Sequence, residues 1–178
     1  MVIVIGGTGG RGDVSDPGGT GGRGGADGEL GTAVIRHLEI GMGMGSEVRA
    51  LVDPFYESHG SQGRARDSDV FFLATLGSHL LGCVRFCVEE NTPLLRTMMV
   101  AEAHRRSGVG RRLLLRFAEY LDQREIHNTF CLPYAHLESF YGLIGFERVA
   151  DKDRPRFLTE RMKLYDRVGG KFICMRRP

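Results

Sequence analysis

Residues 69–121 constrain the fold most tightly. The runs "DVFFLATL" (69–76) and "HLLGCVRFCVEE" (79–90) are rich in β-formers and are joined by a Gly-Ser turn, which predicts a hairpin. "TPLLRTMMV" (92–100) reads as a third strand of the same meander. The pattern then changes period. Val109, Leu113, Phe117 and Leu121 recur every four residues with Leu114 and Ala118 beside them, giving one apolar helical stripe. A meander that runs into an amphipathic helix belongs to a mixed α/β domain.

The remaining segments extend that pattern on both sides. "TAVIRHLEI" (32–40) reads as a strand, and "SEVRALVDPFYESHG" (46–60) as a helix with Ser46 as N-cap, interrupted at Pro54. "NTFCLPYA" (128–135) reads as a strand, and "HLESFYGLIGF" (136–146) as a short helix capped by Gly145. "FERVA" follows as a strand, "PRFLTERMKLYDRVGG" (155–170) as a helix, and "KFICMRR" (171–177) as the closing strand. The expected order is β-α-β-β-β-α-β-α-β-α-β in a single domain over residues 32–178. Residues 6–31 hold thirteen glycines, so residues 1–31 are expected to form a flexible, Gly-rich extension.

Bulk properties remove several function classes. With 42% hydrophobic and 26% charged residues the chain has ordinary globular composition, and a formal charge of +2 gives no general affinity for nucleic acid. No apolar run approaches the ~18 residues of a membrane span, so no membrane partner and a cytoplasmic location are expected. Cys83, Cys87, Cys131 and Cys174 lie in apolar runs with no CxxC pair. They read as buried free thiols, with no metal site.

The turn before the amphipathic helix carries the chemistry. Arg105-Arg106-Ser107-Gly108-Val109-Gly110 joins a strand ending at Val100 to a helix beginning near Gly108. Amide N–H groups at a helix start lack intrahelical partners, and the helix dipole there favours an anion. Glycines remove the Cβ atoms that would hold a phosphate off the backbone. Arg105, Arg106, Arg111 and Arg112 surround the turn with positive charge. The combination is a pyrophosphate cradle, and its plain alternative is a glycine-softened helix start with a solvated basic face.

"MMVAEAHRRSGVGRRLLLRFAEYL" resembles motif A of the GNAT superfamily of acetyl-CoA-dependent N-acetyltransferases. In that motif a strand ends in Val, four residues follow, and (Arg/Gln)-x-x-Gly-x-(Gly/Ala) opens a helix; Val100, Arg105, Gly108 and Gly110 fall in register. "SFYGLIGFERV" is similar to the superfamily's second signature. The resemblance covers roughly residues 32–178. It implies a GNAT-like, mostly antiparallel central sheet flanked by helices. It also implies acetyl-CoA as co-substrate, held by the turn from Arg105 to Arg111 (Ser107 and Val109 included) and by main-chain groups of Met98 and Val100. Tyr141 would then be the general acid that protonates the departing thiolate. The acceptor would be a small-molecule or peptide amine, with a homodimer left open.

The sequence departs from the family pattern at several positions. Tyr134 and Leu137 stand where many members carry Asn and Ala, and Arg106 stands where Gly is frequent. Strand 92–100 lacks the glutamate that the family often uses as base, leaving Arg96 and Thr97 as its polar interior residues. A base is required in some form, because an ammonium acceptor must lose a proton before attack. Glu90 is the candidate, with Glu89, His136 and Glu138 as alternatives. Each also reads as an ordinary turn carboxylate or helix-cap histidine.

A second glycine-rich stretch, "MVIVIGGTGGRG" (1–12), mimics a dinucleotide-binding strand and turn. That site needs a helix next, and "DVSDPGGTGGRGGADG" cannot supply one. Three functions are therefore ordered. Acetyl transfer from acetyl-CoA to a primary amine comes first, a non-catalytic acyl-CoA-binding or sensing module second, and a nucleotide-binding oxidoreductase a distant third.

Overall fold

A computed structural model describes residues 37–61, 65–167 and 169–178. The expectations for residues 1–31, and for the first part of the 32–40 strand, lie outside the described residues. The described strands are β1 (Glu39–Gly43), β2 (Val70–Leu76), β3 (His79–Glu89), β4 (Thr92–Val100), β5 (Thr129–Cys131), β6 (Glu147–Arg148) and β7 (Met175–Arg177). The helices are α1 (Ser46–Ser58), α2 (Val109–Gln123), α3 (Glu138–Gly142) and α4 (Arg156–Asp166). Together they make one mixed α/β domain whose seven-stranded sheet has the order β1-β2-β3-β4-β5-β7-β6. Every pairing is antiparallel except β4 with β5.

Side-chain alternation sends successive strand residues to opposite faces, so the sheet needs cover on both. The α2 stripe covers one. Leu113, Leu114, Phe117 and Leu121 are fully buried against Phe72, Val84 and Phe86. Tyr120, absent from the expected stripe, joins them with its ring 5.4 Å from both Phe72 and Phe86. Truncating an aromatic in such a layer typically costs about 3–5 kcal/mol. The opposite face is shared by α1, which packs Val52 and Tyr56 on Phe71 and Cys83, and α4, which packs Leu158 and Met162 on Cys87 and Leu94. All four cysteines are buried and free.

Several element boundaries differ from expectation for local reasons. Ser46 is the first helical residue of α1, and Gly45 (φ 91°) holds the cap position without a side-chain hydrogen bond. Pro54 does not interrupt α1; it sits on the exposed side, where water can reach the carbonyl that proline leaves unpaired, while buried Val52 and Tyr56 flank it. The strand at 128–135 stops at Cys131 because Pro133 brings no N–H to a ladder. Pairing continues only as the isolated Tyr134–Phe172 bridge. Residues 135–137 then form a 3-10 turn before α3. Gly145 (φ 82°) ends that segment as expected, with the Phe146 amide donating to the Tyr141 carbonyl at 3.4 Å. The last strand is confined to β7, and α4 ends at Asp166 rather than in the glycines.

Candidate functional site

The site begins where the sheet's one parallel pair comes apart. β4 and β5 share a single register pair, Leu94 with Phe130, after which the two strands separate. Residues 94–98 of β4 and 131–134, from the end of β5 onward, line the resulting cavity, about 90 Å³ in volume. A second cavity of about 570 Å³ continues from it toward the start of α2. Met98, Tyr134, Leu137 and Phe140 line both. The larger volume lies in the range of small-molecule sites.

A bulge in β4 shapes the junction. Cys83 pairs with Met99 and Arg85 with Arg96, so three steps on β4 face two on β3, and Thr97 and Met98 have no register partner. Such an insertion releases main-chain groups from the ladder and turns the strand. Thr97 takes φ 50°, a left-handed conformation that β-branched residues seldom adopt. The Tyr56 hydroxyl holds the bulge from α1 by donating to the Thr97 carbonyl at 3.0 Å.

The glycine turn forms the mouth of the larger cavity. Gly108 (φ 92°) is the cap residue of α2, and no acidic residue occupies the first turn of that fifteen-residue helix. A Cβ at Gly110 would lie 3.1 Å from the Phe140 ring and 3.4 Å from the Met98 methyl, so the small residue keeps the helix start close to β4 and α3. Arg105, Arg106 and Arg111 line the cavity together with His104. Arg105 also closes its own loop, donating from Nε to the Val100 carbonyl at 3.3 Å. Ser107 does the same to the His104 carbonyl at 2.6 Å. The amides, glycines and cations of this mouth fit a pyrophosphate group.

The sequence-derived candidates therefore divide. Met98, Val100, Arg105, Arg106, Gly108, Gly110 and Arg111 line the larger cavity. Val109 points into the core, fully buried, and Ser107 lines neither cavity. Tyr141 is buried on α3 and lines the smaller cavity, with its ring edge-on to Phe140 and Phe146. Burial, with a smaller contribution from Cys131, pushes its phenol well above the ordinary tyrosine value. Glu90 sits exposed in the β3–β4 turn and lines neither cavity.

The other carboxylates considered as bases are tied up. Glu138 is bridged by Arg148 at 2.5 Å. Glu89 accepts from Arg161 at 2.6 Å and from Arg96. Burial would raise Glu89, but the two guanidiniums outweigh it and hold the carboxyl below its ordinary value. His136 lines the larger cavity, its ring stacked 5.5 Å from that of Tyr134. Sequence reasoning missed Tyr56, the bulge conformation of Thr97, and Arg161. A threonine in a β-rich run gives no sign of positive φ, and nothing in the order of residues links Arg161 to β4.

No group of three or more His, Cys, Asp or Glu is placed to hold a metal among the described residues, and no described helix is long and apolar enough to cross a membrane.

The acetyltransferase (GNAT) domain family matches residues 67–148. No curated protein matches by sequence. Solved structures share the fold at low identity. N-acetylglutamate synthase from Neisseria gonorrhoeae, complexed with coenzyme A and N-acetyl-glutamate, is 18% identical over 78% of this chain, with a TM-score of 0.54. The chain spans 35% of that protein's length. An acyl-CoA N-acyltransferase from Pseudomonas aeruginosa is 18% identical, with 79% of this chain and 99% of that one covered and a TM-score of 0.57. The ribosomal-protein-S18-alanine N-acetyltransferase from Escherichia coli is 15% identical, with 79% and 94% covered and the same TM-score.

Proposed function

We propose that the chain, whose residues 67–148 match the GNAT acetyltransferase domain family, transfers an acetyl group from acetyl-CoA to a primary amine. One observation carries this reading: a glycine-and-arginine mouth at the start of α2 opens into a cavity that continues along a bulged β4 to the cleft between β4 and β5. Bound there, acetyl-CoA supplies the acyl group as a thioester. Main-chain amides from Arg106 to Arg111, with the Arg106 and Arg111 side chains, hold the pyrophosphate. Main-chain groups of Met98 and Val100 pair with the pantetheine arm as an added strand would.

The acceptor nitrogen enters from the smaller cavity and forms a bond to the carbonyl carbon as the carbon–sulfur bond breaks. One proton leaves the nitrogen and one reaches the sulfur. Tyr141 donates to the sulfur, and burial keeps its phenol protonated for that role. His136 lines the larger cavity and Glu90 lines neither, which favours His136 as the group that receives the amine's proton. The products are an N-acetylated amine and free coenzyme A.

A non-catalytic acyl-CoA-binding module is the second reading. It is favoured by one fact: among the described residues no aspartate or glutamate lines either cavity. Incubation with acetyl-CoA and a panel of primary amines separates the two, since a module would bind coenzyme A and release none from acetyl-CoA. Titration with NADH beside coenzyme A tests the oxidoreductase alternative, which predicts the opposite preference.

A further inference from the structure

The smaller cavity carries a charge pattern that thioester binding does not use. Among the described residues its only charged lining groups are two arginines, Arg96 from β4 and Arg161 from α4. Both side chains are largely enclosed, at 14% and 23% exposure. Their shared partner is Glu89, which takes one hydrogen bond from each guanidinium. Glu89 stays ionised, because the guanidiniums more than offset its burial. Two cations and one anion leave one positive charge uncompensated.

Among the described residues neither arginine has a second ion-pair partner. Arg85, the register partner of Arg96, is bound to Asp69 at 2.8 Å, with both side chains 5% exposed. Asp69 is thereby committed, and the surplus stays at the cavity. Unused donors make the same point. Two guanidiniums offer ten N–H groups, and Glu89 accepts two of them. Arg161 Nη1 is buried and makes no hydrogen bond. A buried donor left unpaired carries a desolvation penalty that a matching ligand would remove.

A planar anion with two oxygens suits paired guanidinium forks better than a single-point acceptor does. Apart from Thr97 and three tyrosines the rest of the wall is apolar, with Leu94, Leu132, Leu158 and Phe172 in it, which favours an apolar group on that anion. About 90 Å³ gives room for roughly six to nine water-sized positions, which limits the occupant to a small molecule. The cavity also meets the larger one at Met98, Tyr134 and Phe140, where the acceptor amine is needed.

We propose that the smaller cavity binds the carboxylate of an apolar α-amino acid through Arg96 and Arg161, presenting its α-amine as the acetyl acceptor. The proposal rests on the acetyl-transfer reading for the role of the amine, and its binding component can be measured separately. The experiment is calorimetry on the full chain, with and without coenzyme A. The probes are leucine, methionine and phenylalanine, each beside its amide and its decarboxylated amine.

In at least one set the acid is expected to bind tenfold or more tighter than both analogues. Arg161→Gln is expected to erase that preference, and Arg161→Lys to keep part of it through the retained charge. Should Arg161→Gln fail to fold, Arg161→Lys and the analogue series on the parent chain still decide. Leucylglycine, whose carboxylate lies further from the amine, is expected to bind no better than leucinamide. Equal affinity for acid, amide and amine in all three sets overturns the proposal. So does a preference that survives Arg161→Gln, or leucylglycine binding as well as leucine. An acid preference without acetyl transfer to any amine supports the carboxylate site and removes only the acyl-transfer reading.

Discussion

The Tyr56 hydroxyl of α1 donates a hydrogen bond to the main-chain carbonyl of Thr97, 3.0 Å away across the sheet face, and so fastens a helix to the bulge in β4. Both residues are buried, and Thr97 is held at φ 50°. A strained conformation of this kind costs on the order of 1–3 kcal/mol and persists only where its surroundings enforce it. Tyr56→Phe keeps the ring and strands the carbonyl. Urea unfolding is expected to show a loss of about 1–3 kcal/mol. Acetyl-CoA KM should also rise several-fold as the bulge relaxes. If neither changes, the strand ladders alone hold the bulge.

The glycine turn makes a sharper prediction. Gly110→Ala places a methyl 3.1 Å from the Phe140 ring, so α3 or the ring must give way and coenzyme A affinity should fall. Gly110→Asp adds a negative charge where the phosphates would sit and is expected to abolish binding. At Gly108, φ 92° makes any L-residue strained by roughly 1–2 kcal/mol, which separates a folding cost from a binding cost. Calorimetry on variants that keep their far-ultraviolet circular dichroism checks each outcome. Unchanged affinity in folded Gly110→Asp would move the cofactor elsewhere.

The sequence disclosed the parts that depend on periodicity and on small motifs. The alternating runs at 69–100 and the four-residue stripe of α2 became β2, β3, β4 and their covering helix, because each pattern encodes one buried face. Gly108 and Gly110 were legible because few other positions demand glycine beside arginine before a helix. Features built by tertiary contact were not. The parting of β4 from β5 depends on a single pair, Leu94 with Phe130, and on Pro133 ending a ladder. The Arg96–Glu89–Arg161 cluster joins residues 72 positions apart, and no local pattern records that distance.

Four buried thiols set an alkaline limit to stability. Burial pushes Cys83 and Cys87 to about 12 and Cys174 to about 11, while Cys131 is raised well above its ordinary value. Each group is raised in the folded state, so its contribution is complete below the unfolded thiol value of about 8.5 and is lost as pH climbs toward the folded value. In that window each thiol can remove up to about 1.4 kcal/mol per pH unit. The melting temperature should be flat from pH 7 to 8 under reducing conditions and fall steeply above pH 9. Cys87→Ala should soften the fall while lowering stability at pH 7. An unchanged melting temperature at pH 10 would mean that the thiols ionise without unfolding.

Glu90 and Tyr141 give opposite expectations from one assay. Glu90 is exposed in the β3–β4 turn, so Glu90→Gln should leave kcat within about twofold, in keeping with surface substitutions generally. Tyr141 is buried and lines the smaller cavity. Its phenol is raised by burial, so it stays protonated throughout the working pH range. A raised value makes outright proton release harder and favours a donated hydrogen bond that strengthens as charge builds on the sulfur. That interaction is greater in the transition state than in the ground state, and it therefore acts on kcat. Phenylalanine keeps the edge-on packing against Phe140 and Phe146 and removes only the donor. Tyr141→Phe should lower kcat by roughly 10²-fold with acetyl-CoA KM little changed. The unsubstituted chain should show no alkaline decline in turnover assignable to this phenol below its ordinary value of about 10. Full kcat in Tyr141→Phe would return the sulfur's proton to water and leave Tyr141 as a packing residue.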